Sequence, residues 1–398
     1  MGTKKEALMK AQLAFLYLCV ASISLGIKLQ QSILILFVLF QLGMALAYGT
    51  NLGAIFAKGR RAAAFFYGFM IVSAVITQIK LPSAHPTRFH WAFGAFWAIS
   101  PMMIPHIRWE NLHRWLLVCS VPGLAYSTYW LLQPDEISWA MKIGFTMFPR
   151  AGGLVSNPIT NAEGLVVLGC WSLARLNNHM GSKERRWVLA HLGWAILIVV
   201  FSRVRSGLVG FTVLFFLTAL FSSKQRKLSL TAWLAMAGIF VGTISIFGFN
   251  MASIYERMDL AKTSWHLFSE NPIFGIGPNK WKELEPVDGK PMAHPHNSLL
   301  GLATETGVLG LLAYLFFMGN LGLHLLRIRK KFNDPDDPMR WVMQSLTCIF
   351  CIYWVFGLFD YNFADTELLI FHALHWSLIT GISVRGPNGS SSEPDQEA

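Results

Sequence analysis

Charge is scarce in this chain: Asp, Glu, Lys and Arg make up 14% of its 398 residues, against about 25% in an ordinary soluble domain. A water-soluble enzyme of two or three domains is therefore excluded. Cysteine is scarce too. All five (Cys19, Cys119, Cys170, Cys348 and Cys351) fall inside apolar runs, so no disulfide framework is expected. Cys348 and Cys351 have redox-motif spacing but sit mid-run, and are read as small packing residues. No Walker loop, GxGxxG or HExxH occurs, which removes the usual nucleotide, dinucleotide and zinc-hydrolase chemistries. His294 and His296 have no compact Cys, His or carboxylate pattern beside them, so no metal site and no cofactor are expected. No cleavable leader is read at the start either: the basic stretch from Met1 to Lys10 runs straight into an apolar segment.

Hydrophobic residues supply 54% of the chain, and they come in runs. Twelve runs are of the length, near 20 residues, that crosses ~30 Å of hydrocarbon as a helix. They are 11–27, 32–56, 62–79, 89–105, 113–132, 154–174, 187–202, 206–222, 229–249, 298–326, 341–359 and 366–384. The fold class is thus an all-α polytopic membrane protein with about twelve transmembrane helices. With the N-terminus in the cytoplasm, alternate connections hold most of the Lys and Arg, among them Lys58, Arg60, Arg61, Arg185, Arg186, Arg329, Lys330 and Lys331. That bias has the sign of the positive-inside rule and puts both termini in the cytoplasm. The net charge of +11 is then a consequence of topology and needs no nucleic-acid partner.

The same topology divides the chain into nine spans over 1–249, an outer segment over 250–297, three spans over 298–385 and a polar, disordered tail over 386–398. The outer segment reads as a small helical subdomain. Met258, Ala261, Trp265 and Phe268 recur at helical spacing, until Pro272, Gly275, Gly277 and Pro278 forbid a long regular element. The following residues, 278–291, read as an amphipathic, charge-rich cover over the membrane surface.

Four arginines face outward against the general bias. Arg203 and Arg205 share a turn so short that at least one of them sits at the edge of hydrocarbon, where an Arg marks a functional site or snorkels. Arg257 lies near the start of the outer helix, and Arg150 precedes a Gly-rich approach to the sixth span. Beside them, His296 and Asn297 stand at the last polar turn before the run that starts the tenth span. Histidine is the side chain that takes or gives a proton near neutrality, with an ordinary pKa of about 6.5. Guanidinium forks grip phosphate oxygens bidentately. One imidazole among arginines therefore suits a transfer in which a diphosphate leaves, stabilised by positive charge, while a hydroxyl acceptor gives its proton to a base. Glu305, or Asp360 and Asp365 in the last outer turn, would offset the imidazolium. Nine residues separate Asn297 from Gly307, and Gly307 and Gly310 have the spacing that lets a second helix approach closely.

These residues resemble the O-antigen ligase family, within a superfamily that also holds O-antigen polymerases and bacterial O-linked oligosaccharyltransferases. Its signature of His, a polar residue, nine residues, then Gly-x-x-Gly is met by His296, Asn297, Gly307 and Gly310. The arginine of its outer Ser-Arg turn is similar to Arg205, with Arg203 a rival because Val204 stands where the family has serine. Arg257, Trp265, Asn271, Pro272, Gly275 and Gly277 resemble the family's outer-helix motif, and Arg150, Asn157 and Pro158 a related one. The resemblance implies a GT-C-type glycosyltransferase of the bacterial inner membrane with a periplasmic site. The implied donor is undecaprenyl-diphosphate-linked O-antigen, the implied acceptor a sugar hydroxyl of the lipid A–core. Transfer would invert the anomeric carbon without metal or nucleotide, with His296 as base, Arg203, Arg205, Arg257 and Arg150 around the diphosphate, and His294, Asn297, Glu305 and Trp265 in support.

Overall fold

The structure is a computed structural model. It describes residues 2–21, 27–48, 60–80, 95–96, 101–132, 158–202, 204–221, 226–247, 251–278, 280–283, 295–334, 336–360 and 366–382. Among these residues every regular element is helical. The α-helices, in order, are α1 (Gly2–Ala21), α2 (Ile27–Tyr48), α3 (Arg61–Lys80), α4 (Trp109–Leu131), α5 (Pro158–Leu176), α6 (Ser182–Ser202), α7 (Arg205–Phe221), α8 (Arg226–Phe247), α9 (Met251–Glu270), α10 (Ser298–Lys331), α11 (Arg340–Phe359) and α12 (Thr366–Gly381). Each apolar run has a helix over most of it except 89–105, of which only 95–96 and 101–105 are described. There, Pro101–His106 forms a 3-10 turn around Pro105. By length and composition α6, α10 and α11 are apolar enough to cross a membrane, and α7 is a shorter apolar helix. Over the described residues the chain is thus a helical membrane protein.

α5 is the hub. It opens on Pro158, whose fixed φ and missing N–H suit a first helical position, and from Leu165 to Leu176 every side chain is buried. A helix apolar on all sides belongs in an interior. α6, α7, α11 and α12 all pack on it. Small residues let them come close: Gly207 of α7 abuts Ala162 of α5 and Val199 of α6, and Gly210 abuts Val166 of α5 and Phe356 of α11. These contacts fix which ends lie together. The starts of α5 and α7 and the ends of α6 and α11 share one end of the bundle.

The opposite end is basic. There Glu184 receives Arg175 at 3.3 Å and Arg114 at 3.2 Å, and Arg329 lies 3.9 Å over the Phe221 ring. Asn177 donates to Gln344, whose own amide donates to the Phe221 carbonyl. Arg327, Lys330, Lys331 and Arg340 belong to the same end.

Inside the bundle several buried polar groups are paired. Glu163 of α5 and His372 of α12, both fully buried, meet at 2.7 Å through Oε1 and Nε2. Trp171 donates to His375, Arg60 to Ser377, and the hydroxyls of Tyr314 and Tyr353 meet at 3.2 Å. Glu163, the one charge in its span, is thus bonded across two helices. Glu163→Ala should destabilise the protein by about 1–3 kcal/mol, the desolvation cost of an orphaned partner, read as a lower thermal midpoint in detergent. The five cysteines remain free thiols.

Candidate active site

The site assembles at the end of α11. Two residues before α10, His296 takes a left-handed backbone with φ 48°, a conformation no other described non-glycine residue shares. Such strain persists where surrounding contacts over-determine it, and it concentrates at functional sites. The contacts here are specific. Asn297 caps α10, its Oδ1 accepting the Leu300 N–H at 2.9 Å, while its Nδ2 donates to the Leu358 carbonyl at 3.4 Å. Ser298 Oγ donates to the Asp360 carbonyl at 3.2 Å. Consecutive residues entering α10 are thus tied to Leu358 and Asp360 at the end of α11, and His296 stands beside them.

His296 Nδ1 lies 3.1 Å from Asp360 Oδ1. The carboxylate side chain is 7% exposed and the imidazole 33%. An ionised carboxylate only accepts, so the shared proton belongs on Nδ1, and the Nε2 lone pair is left as the basic site. The sequence offered Glu305, Asp360 and Asp365 as partners for this imidazole. Asp360 occupies that place. Glu305 is buried a turn and more into α10, with its carbonyl accepting the Gly277 N–H at 2.9 Å, and Asp365 lies outside the described residues.

Arg257 reaches the same spot from α9. Its Nη1 donates to the Phe359 carbonyl at 3.2 Å, one residue from Asp360. A cation over the open carbonyls of a helix end is favoured by the helix dipole. A single carbonyl engages only part of the guanidinium fork, so an anion can be held on the rest. Arg205 opens α7 at the same end of the bundle, half-buried, two residues before the Gly207 contact with α5. Arg150, Arg203 and His294 lie outside the described residues.

The glycines do something the spacing did not foretell. Gly307 does not pack one continuous helix against another. It breaks α10, with φ 68° and ψ −171° between two helical stretches. The loop after α9 plugs the break. Ile276 and Gly277 donate to the carbonyls of Thr304 and Glu305, both at 2.9 Å, and the Val308 N–H donates to the Pro272 carbonyl at 2.8 Å. Backbone lies against backbone here: a Cβ on Gly275 would strike Thr304–Thr306, and one on Gly307 would strike Ile273 and Phe274. Gly310 keeps a packing role, one turn later, against Thr306 and Phe69 of α3. The Asn-Pro-x-x-Gly-x-Gly segment is therefore a clasp that joins α9, which carries Arg257, to α10, which follows His296.

α9 itself buries a different face from the one its apolar spacing suggests. Leu260 and Ser264 are covered, with Thr304 Oγ1 donating to the Ser264 carbonyl at 3.2 Å, while Met258 and Trp265 are exposed. Trp265 lies against Phe268, with ring centroids 5.7 Å apart and planes tilted by 42°. Beyond α9, Lys280–Glu283 forms a 3-10 turn in which Lys280 and Trp281 are buried, so this part of the expected charge-rich cover turns inward.

The residue that sequence reasoning underweighted is Asp360. Its signal was present, an acidic side chain at the edge of an apolar run on the side where His296 emerges, but nothing in the string assigns one carboxylate to one imidazole 64 residues away.

A comparison with curated proteins gives no match. The family model described as O-antigen ligase matches residues 190–315, from within α6 through the first half of α10. The matched stretch includes Arg205, Arg257, the clasp, His296 and the broken helix; Arg150 and Asp360 fall outside it. Over residues 190–315 the chain thus carries a domain similar to the O-antigen ligase family, which supports a place in the wider superfamily of O-antigen ligases and polymerases.

Proposed function

We propose that the chain is the ligase of this superfamily, moving O-antigen from undecaprenyl diphosphate to a sugar hydroxyl of lipid A–core at the periplasmic face of the inner membrane. The observation that carries the reading is the His296–Asp360 pair, at 3.1 Å, beside the Arg257 guanidinium. Asp360 fixes the imidazole with Nε2 as its basic atom. That nitrogen takes the acceptor hydroxyl's proton as the oxygen attacks the anomeric carbon. The bond from that carbon to the diphosphate breaks, and undecaprenyl diphosphate leaves with the electron pair. Arg257 and Arg205 supply the positive charge that stabilises it, so no acid is required on the leaving side. Displacement from the opposite face inverts the anomeric centre, and the imidazolium formed is stabilised by Asp360 until it releases its proton to water. The basic end of the bundle, with Arg185, Arg186, Arg329 and Lys330, supports placing the site on the far side from the cytoplasm.

Asp360→Asn tests the orientation. An asparagine amide would donate to Nδ1 and move the imidazole proton to Nε2, the wrong tautomer for a base. Transfer should fall by roughly 10²–10⁴-fold, the contribution of a positioned general base that the wrong tautomer forfeits, with the loss in kcat and little change in KM.

Deletion of the gene separates ligase from polymerase. Loss of a ligase leaves lipopolysaccharide ending at the bare core, whereas loss of a polymerase leaves core plus one repeat. A core carrying one repeat, or an unchanged ladder with loss of glycans from protein, would overturn the assignment.

A further inference from the structure

We infer that α9 and the clasp after it lie in the plane of the membrane, with Met258, Trp265, Ile273 and Phe274 immersed in the lipid interface at the site end of the bundle. This rests on α10 crossing a membrane and not on the ligase reading.

At 100° per residue, α9 has three faces. Leu260 and Ser264 point to α10 and are covered. Asp259, Lys262, His266 and Glu270 form a polar face, with Lys262 bonded to Asp259 at 3.1 Å and His266 to Glu270 at 3.4 Å. The third face is the stripe of Met258, Ala261, Trp265 and Phe268, on which Met258 is 49% and Trp265 64% exposed. A polar face, a packed face and an unburied apolar stripe containing Trp are the composition of a helix lying at a lipid–water interface.

Continuity identifies the occupant. The stripe leads into Ile273 and Phe274, which are also exposed, and these are joined backbone to backbone with Gly307 and Val308. From Val308 the outward side of α10 carries Leu309, Leu312, Leu315 and Phe316, all exposed and all on a helix apolar enough to span a membrane. The apolar surface of α9 is therefore an extension of a lipid-facing surface, bent into the membrane plane at the Gly307 break. Arg257 immediately precedes Met258, so the seat would hold its guanidinium at the depth of lipid headgroups.

The test places nitroxides singly at 258, 262, 265, 266 and 274 in the full chain lacking its five native cysteines. The protein is reconstituted in phosphatidylethanolamine–phosphatidylglycerol vesicles, and collisions with oxygen and with a water-soluble nickel chelate are measured. Positions 258, 265 and 274 should favour oxygen, and 262 and 266 the chelate, in a helical period. Equal chelate access at 258 and 262 would overturn the proposal by making the stripe water-facing. Protection of 258 and 265 from both reagents would overturn it in favour of a protein partner, a second copy included. Should the cysteine-free chain fail to fold, the native chain and Trp265→Phe are compared in vesicles of headgroup-proximal brominated lipid. The emission contributed by Trp265 should be lost to quenching there, and its full retention would refute the seat.

Discussion

A His296→Ala variant should transfer glycan about 10²–10⁴-fold more slowly than the native chain, the contribution a positioned general base makes, while reaching the membrane in unchanged amount. The two halves of that expectation come from different contacts. Folding of this corner rests on Asn297 capping α10 and on Asn297 and Ser298 gripping the carbonyls of Leu358 and Asp360. None of these is made by the imidazole. The imidazole bonds to Asp360 and its side chain is one-third exposed, so truncation removes little packing. The check is a transfer assay on membranes matched for protein by immunoblot. Native-like rates would remove His296 from the chemistry, and disappearance of the protein would make its role structural.

Gly307→Ala should give the larger structural effect, with loss of both folded protein and transfer. At φ 68° and ψ −171° the residue occupies a region that side chains other than glycine enter at a cost of about 1–3 kcal/mol. The space is also closed: the new methyl would stand inside the contact with the Ile273 backbone. That backbone cannot yield alone, because Pro272, Ile276 and Gly277 on either side are bonded to Val308, Thr304 and Glu305. Relief would mean pulling the clasp out, which releases α9 and with it Arg257. Lower yield, a lower thermal midpoint and faster proteolysis after residue 270 are the expected readings. A stable, active Gly307→Ala protein would show that the clasp does not hold the site.

The apolar runs made the helices legible, because a segment that must satisfy its backbone within hydrocarbon has few alternatives to a helix. Most of 89–105 lies outside the described residues, and its last part, with Pro101 and Pro105, is a 3-10 turn. At the site, His296, Arg257 and Arg205 could be singled out by where they stand relative to those runs. Their partners could not. Asp360, the Phe359 carbonyl and the clasp are long-range contacts, and nothing local encodes which carbonyl a guanidinium will meet. Gly307 shows the limit well: its position was legible, but the spacing Gly307–Gly310 implied helix packing, and the break appears only when the loop of another element competes for the backbone of Thr304, Glu305 and Val308. α9 failed differently. Its apolar period marks a stripe correctly but does not say what the stripe faces, and a protein in lipid has two apolar environments to offer it.

Reconstituted transfer tests the central claim most directly. Purified protein in lipid nanodiscs is given undecaprenyl-diphosphate-linked O-antigen and lipid A–core in the presence of a metal chelator, and products are resolved by gel and mass spectrometry. The native chain should convert lipid A–core into a ladder carrying O-antigen, with the anomeric configuration inverted, and His296→Ala and Asp360→Asn should leave the core bare. Lengthening of the lipid-linked glycan with the core untouched, or an undiminished ladder from His296→Ala, would contradict it.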